Sequence, residues 1–245
     1  MEENGRGYPG TKLVILVCIG VFFFESLLSF AFGRPGLAYL FSQYGFSMEA
    51  VSAGRFWTFF TSVFLHASPE HLILNMIALF FFGRAVETEL GTARFFLVFF
   101  GSAVFGDLLI LLMTQLGLYP VDVPTVGASG AIFGLLGTAM FTRPLDLVFY
   151  PYLIPVPMVL VAILYILYNL AGFFYTVATG ETTGISYISH LGGLGAGAIF
   201  GFAEARNRGR SLVIIFLFVI LIPVLWNLVT ALQGADYTRM ISEVF

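Results

Sequence analysis

Long apolar stretches separated by short polar ones run along almost the whole chain. A helix that crosses the hydrocarbon core needs roughly 20 predominantly apolar residues. Seven stretches read as spans: Leu13–Phe32, Leu72–Val86, Phe95–Leu116, Ala128–Phe141, Tyr152–Ala178, Ile185–Ala203 and Leu212–Leu232. Lipid offers no partner to a backbone N–H or C=O, so each is expected to be a helix. The second and fourth look short, and their ends are expected to extend into the flanking loops. The longest connection, Gly33 to Glu70, is weakly charged and carries Tyr39, Tyr44, Phe46, Phe56 and Trp57, the pattern of an interfacial segment. The run from Lys12 to Phe32 is too long for the apolar part of a signal peptide and is followed by further spans, so it reads as a retained helix.

Composition agrees with the pattern. Of 245 residues 59% are hydrophobic and 10% charged. Soluble domains are about half apolar and about a quarter charged, so the surplus apolar surface must face lipid. The net charge of -3 and the absence of a basic run give no sign of a nucleic-acid partner. The single cysteine, Cys18, excludes an internal disulfide and a thiolate metal site.

The eleven basic residues set an orientation. With the N-terminus cytoplasmic, Arg6, Lys12, Arg84, Arg94, Arg143, Arg206, Arg208 and Arg210 fall inside, and only Arg34, Arg55 and Arg239 fall outside. The C-terminus is then extracytoplasmic. The second, fourth and sixth spans start at the outer face, which places His71, Asn75, Ser129 and His190 at one depth on one side.

Polar side chains inside spans are costly and point to function. In Gly127-Ala128-Ser129-Gly130 the serine falls in the first turn of a helix, after a loop containing Pro120 and Pro124. Free N–H groups and the positive end of the helix dipole favour negative charge there. On its own the tetrapeptide fits small-residue helix packing better than a catalytic serine. A serine also needs a base. His190 lies one turn before Gly193, Gly197 and Gly201, a ridge of four-residue period, and Ser129 lies just before a groove of Gly130, Gly134 and Gly137. Two such surfaces pack backbone to backbone, which would bring the imidazole to the hydroxyl. His71 and Asn75, four residues apart, share a helix face and can both donate to an oxyanion, although Asn75 fits a simple helix–helix tie as well. No third group is evident: Asp107 and Glu25 lie in apolar runs, Asp122 and Glu181 in outer loops, and a dyad is expected. His66 reads as a surface or structural residue. A zinc protease would show His-Glu-x-x-His, which His66-Ala-Ser-Pro-Glu70-His71 lacks. An aspartyl protease needs a partner for Asp107, and none is evident.

From Gly54 to Gly201 the chain resembles the rhomboid family of intramembrane serine proteases. His71-Leu-Ile-Leu-Asn75 resembles its His-x-x-x-Asn, Gly127-Ala-Ser129-Gly130 its Gly-x-Ser-Gly, and His190-Leu-Gly-Gly193-Leu-Gly-Ala-Gly197 its His-x-x-Gly-x-x-x-Gly. Gly83-Arg84-Ala85-Val86-Glu87 resembles the end of the family's second helix. The resemblance implies an all-α polytopic membrane protein, a six-helix bundle with one extra C-terminal transmembrane helix. It implies a catalytic Ser129–His190 dyad, an oxyanion hole from the Ser129 N–H with His71 and Asn75, and transmembrane helices as substrates. No cofactor or metal is expected. Residues 1–12 form a cytoplasmic tail, 13–203 the catalytic core, and 204–245 a cytoplasmic loop, the seventh helix and a short outer tail. The membrane is expected to be the plasma membrane. Three positions depart from the family pattern. Trp57 is followed by Thr58 rather than arginine, Phe133 stands where a tyrosine is frequent beside the base, and Ser189 stands where alanine is common. A catalytically inactive relative would be expected to lack the serine or the base. A transporter would favour inverted repeats, and none is visible between the halves.

Overall fold

The chain enters its first helix, α1 (Pro9–Tyr44), at a proline in the first turn, where a missing N–H costs nothing. The free N–H groups of Gly10 and Thr11 donate to the buried Glu87 carboxylate at 2.8 and 2.7 Å. α1 is longer than the expected span. It breaks at Gly33 (φ 64, ψ -162), just before Pro35, and resumes to Tyr44, so the connection that follows is partly helical. That connection also holds α2 (Met48–Ser52), α3 (Thr58–Thr61) and a 3-10 turn at Ser62–Phe64. The computed structural model describes residues 7–149, 154–180, 185–221 and 223.

α4 (Pro69–Leu90) has a strong start. The Ser68 side chain accepts from the His71 N–H, Pro69 takes the first position and Glu70 faces the dipole. α4 ends at Gly91, φ 88, and α5 (Thr92–Gln115) follows at once. α6 (Ser129–Thr142) differs from expectation, because it does not extend into its loops. Fourteen residues at 1.5 Å each cover about 21 Å, short of the ~30 Å hydrocarbon thickness, so an end of α6 lies within the bundle. The helix of the fifth expected span, α7 (Met158–Thr179), starts later than hydropathy predicts. Pro155 and Pro157 favour extended backbone, and Val156–Pro157 (β2) pairs antiparallel with Leu147–Val148 (β1). α8 is Tyr187–Glu204. Residues 208–221 are helical, and the Ser211 hydroxyl donates to the Phe141 carbonyl at 2.7 Å. Of the expected Leu212–Leu232 span, residue 222 and everything after 223 lie outside the described residues, as do the C-terminal tail and Glu181.

The centre of the fold is α6 against α8. A Cβ on Gly193 would strike the Gly130 carbonyl oxygen, one on Gly197 the Gly134 carbonyl, and one on Gly137 the Leu194 carbonyl. The expected ridge and groove therefore meet backbone to backbone, and the Thr138 hydroxyl donates to the Gly197 carbonyl at 2.9 Å. Phe82, Phe95, Phe99, Leu135 and Leu136 fill the rest of the core. The outer surface is apolar: Phe23, Leu112, Leu167, Phe174 and Ile199 point outward and are exposed. So large an apolar exterior fits lipid rather than water. By length and composition four described helices, α1, α4, α5 and α7, can cross a membrane.

Charged residues gather at the end of the bundle opposite the start of α6. Arg143 after α6 pairs with Glu89 of α4 at 3.1 Å and with Asp146 at 3.0 Å. Arg206 after α8 also reaches Glu89, and Arg94 of α5 reaches Glu204.

Candidate functional site

Ser129 is the first residue of α6, and three features of the loop before it fix its position. Phe46 and Thr125 form a two-bond antiparallel bridge, the Gly127 N–H donates to the Ser62 carbonyl at 2.9 Å, and Gly127 adopts φ +118, where a side chain would be strained. The first-turn N–H groups of α6 have no acceptor within the helix.

His190, one turn before the glycine ridge of α8, is carried to Ser129 by the α6–α8 packing. Its Nε2 lies 2.7 Å from the Ser129 Oγ. Phe133, one turn after Ser129, stacks on the imidazole with centroids 4.4 Å apart and planes within 10°. The departure from tyrosine at this position therefore keeps the stacking face. Ser189, a second departure, is buried, and Gly130 and Gly106 leave room for its hydroxyl and carbonyl.

His71 and Asn75 point from α4 toward the same place. A Cβ on Gly127 would come within 2.6 Å of the His71 ring and 3.4 Å of the Asn75 Nδ2, so the glycine makes room for both. Asn75 is buried, and its Nδ2 has no hydrogen-bond partner among the described residues. The structure thus brings Ser129, His190, His71, Asn75 and Gly127 together, with Gly130, Gly193 and Gly197 forming the contact beneath them.

The other candidates separate from this group or serve it indirectly. His66 is buried rather than on the surface. Its N–H donates to the Glu25 carboxylate at 3.1 Å, and its ring lies 5.2 Å from that of His71. Glu25 thus ties α1 to the loop before α4. Asp107 is buried in α5, with its Oδ2 unpartnered among the described residues. Asp122 sits in an exposed loop. Trp57 donates its indole N–H to the Gln43 carbonyl at 2.9 Å. Among the described residues no group of His, Cys, Asp and Glu is placed to hold a metal ion.

One residue at the site escaped the sequence reading. Asn169 of α7 is 1% exposed, and its Oδ1 lies 2.8 Å from the His190 Nδ1. Its signal in the sequence is an amide in the middle of an apolar stretch, which a reading confined to carboxylates as third group passes over.

Comparison with known proteins gives a coherent result. The family profile described as "Rhomboid domain" matches residues 53–207. "Rhomboid protein 1, mitochondrial" of Saccharomyces cerevisiae is 31% identical over 156 residues, 62% of this chain and 44% of that protein. "Rhomboid protease GluP" of Bacillus subtilis is 29% identical over 167 residues, 66% of this chain and 30% of that protein. "Inactive RHOMBOID-like protein 8" of Arabidopsis thaliana is 28% identical over 138 residues, 56% of this chain and 36% of that protein. In each case the match spans less than half of the relative's length.

Proposed function

The chain belongs to the rhomboid family, and from that premise we propose that it is an intramembrane serine endopeptidase cleaving transmembrane helices of substrate proteins. The observation that carries this reading is the 2.7 Å contact between the Ser129 Oγ and the His190 Nε2. In the proposed reaction His190 takes the Ser129 proton while Oγ attacks the scissile carbonyl. The tetrahedral intermediate collapses as the imidazolium returns that proton to the leaving amine, which leaves an acyl-enzyme. His190 then activates a water that hydrolyses the ester and regenerates the serine.

The negative charge of the intermediate would develop beside the first turn of α6. The Ser129 N–H, the Asn75 Nδ2, unpartnered among the described residues, and the His71 ring beside Gly127 would serve as its donors. We assign residues 13–203 to a six-helix catalytic core with a seventh helix after it. The cytoplasmic end is the ion-paired one, the N-terminus is cytoplasmic, the C-terminus extracytoplasmic and the membrane the plasma membrane. No cofactor enters the mechanism.

The test is cleavage of a model transmembrane substrate by the purified full chain in liposomes. Ser129→Ala and His190→Ala are each expected to lower kcat by ~10⁴-fold or more with thermal unfolding unchanged. Cleavage retained in either variant overturns the assigned role. A wild-type chain that binds the substrate helix without cutting it would instead be an inactive membrane-helix-binding relative; inactive members of the family exist, as the name of the Arabidopsis protein states.

A further inference from the structure

We propose that Asn169 is a positioning residue that holds His190 in the tautomer able to accept the Ser129 proton; this rests on the reading of Ser129 and His190 as nucleophile and base. A neutral imidazole has one N–H and one bare nitrogen, and only the bare nitrogen can serve as base. Which nitrogen is bare depends on what faces the other.

The Asn169 amide settles that choice by its own bonding. Its Nδ2 lies 2.8 Å from the Tyr165 carbonyl, one turn earlier in α7. A carbonyl only accepts, so the amide end facing it must be the NH2 group. The opposite orientation would set two oxygens against each other at that distance. The Oδ1 is therefore the end that faces His190, 2.8 Å from Nδ1. An oxygen acceptor there requires Nδ1 to carry the proton, which leaves Nε2 bare opposite the Ser129 hydroxyl at 2.7 Å. When Nε2 takes the serine proton, the Nδ1–H to Oδ1 bond becomes charge-assisted and stronger. Phe133 against one ring face and Asn169 at Nδ1 together fix both the plane and the rotation of the imidazole.

The location argues in the same direction. Asparagine is a poor residue for a helix interior, and an amide 1% exposed in an otherwise apolar transmembrane stretch is costly. A mere tie between α7 and α8 would not depend on which end of the amide faces the histidine. A tautomer lock does.

The experiment compares Asn169→Leu, of the same branched skeleton and with no acceptor, with Asn169→Asp, which keeps an oxygen on Nδ1. Both are made in the full chain in liposomes beside wild type and Ser129→Ala. Asn169→Leu is expected to lower kcat by about 10²-fold, the scale of losing well-placed general-base catalysis, with KM unchanged. Asn169→Asp is expected to recover part of that loss, because it keeps an oxygen on Nδ1 while its second oxygen now faces the Tyr165 carbonyl. 15N NMR of histidine-labelled protein, with the His190 signal identified by its absence in His190→Ala, is expected to show Nδ1 protonated in wild type and a mixture of tautomers in Asn169→Leu.

Three results would overturn the proposal: wild-type kcat in Asn169→Leu, equal losses in Leu and Asp variants that track lowered thermal stability, or a wild-type His190 protonated at Nε2. Failure of the underlying reading is distinguishable, because then Ser129→Ala would still cleave. The NMR measurement tests the tautomer in either case.

Discussion

The two ends of the bundle treat buried polar groups in opposite ways. At the ion-paired end, Glu87 is fully buried and both carboxylate oxygens are satisfied. Gly10 and Thr11 donate backbone N–H groups, and the Thr11 and Thr92 hydroxyls donate at 2.7 and 2.8 Å. At the Ser129 end, Asn75 is buried and its amide N–H groups find no acceptor among the described residues. Leaving a buried donor unpaired costs about 1–3 kcal/mol. A chain that satisfies a buried carboxylate so fully at one end has the means to pair an amide at the other. The Asn75 Nδ2, one of several buried polar atoms without a partner among the described residues, lies where an oxyanion is proposed to form, so stability is given up there for transition-state binding.

That contrast is most easily broken at Asn75 itself. If its amide serves the transition state, Asn75→Ala lowers kcat by roughly 10²–10³-fold, leaves KM nearly unchanged, and leaves the thermal midpoint unchanged or raised. Steady-state cleavage assays with a melting curve check this. An unchanged kcat with a lowered midpoint would make Asn75 a structural tie. Gly127→Ala tests the same corner from the backbone. The added methyl would meet the His71 ring at 2.6 Å on a backbone at φ +118, so the loop must shift. Displacements of that size typically cost about 10²-fold in rate. A variant that cleaves at the wild-type rate would show that the loop geometry is not needed.

Glu87→Gln probes the opposite end. It places an amide NH2 among four donors, and loss of a charged acceptor of this kind costs about 2–3 kcal/mol of stability. Thermal unfolding is expected to fall while cleavage per folded molecule stays the same. A loss of kcat without a loss of stability would remove the distinction between the two ends.

Much of this arrangement could be read from residue spacing, and the part that could not has a common physical origin. The four-residue repeat of Gly193, Gly197 and Gly201, set against Gly130, Gly134 and Gly137, predicts a close helix pair with a histidine and a serine at one end, and the carbonyl contacts of those glycines realise it. Backbone donors carry no such signature. Glu25 and Glu87 each bond N–H groups far away in sequence, so neither acid announces its partner. The late start of α7 was visible in Pro155 and Pro157, but hydropathy ignores proline chemistry. α6 stays short because Gly127 and the loop anchored at Phe46 and Ser62 stop it at Ser129, a tertiary constraint. Asn169 was visible as a residue, but its value depends on α7 lying against α8.

The smallest expected effect separates ordinary ion pairs from the buried carboxylate beside them. Glu89 receives Arg143 and Arg206, each at 3.1 Å, so distance alone ranks them equal. Burial does not: the Arg206 side chain is 81% exposed and that of Arg143 30%. Arg143 also places a second nitrogen on Glu89 and reaches Asp146 at 3.0 Å, so its guanidinium is held at several points. An exposed, singly held pair contributes at most a few tenths of a kcal/mol and is screened by salt, whereas the better-fixed Arg143 approaches about 1 kcal/mol. Arg206→Ala is therefore expected to leave thermal unfolding nearly unchanged at moderate salt, and Arg143→Ala to lower it measurably, with cleavage per folded molecule the same in both. Equal losses would mean that Glu89 depends on the whole ion-pair network, and the ion-paired end would then be held as a unit rather than chiefly through Glu87.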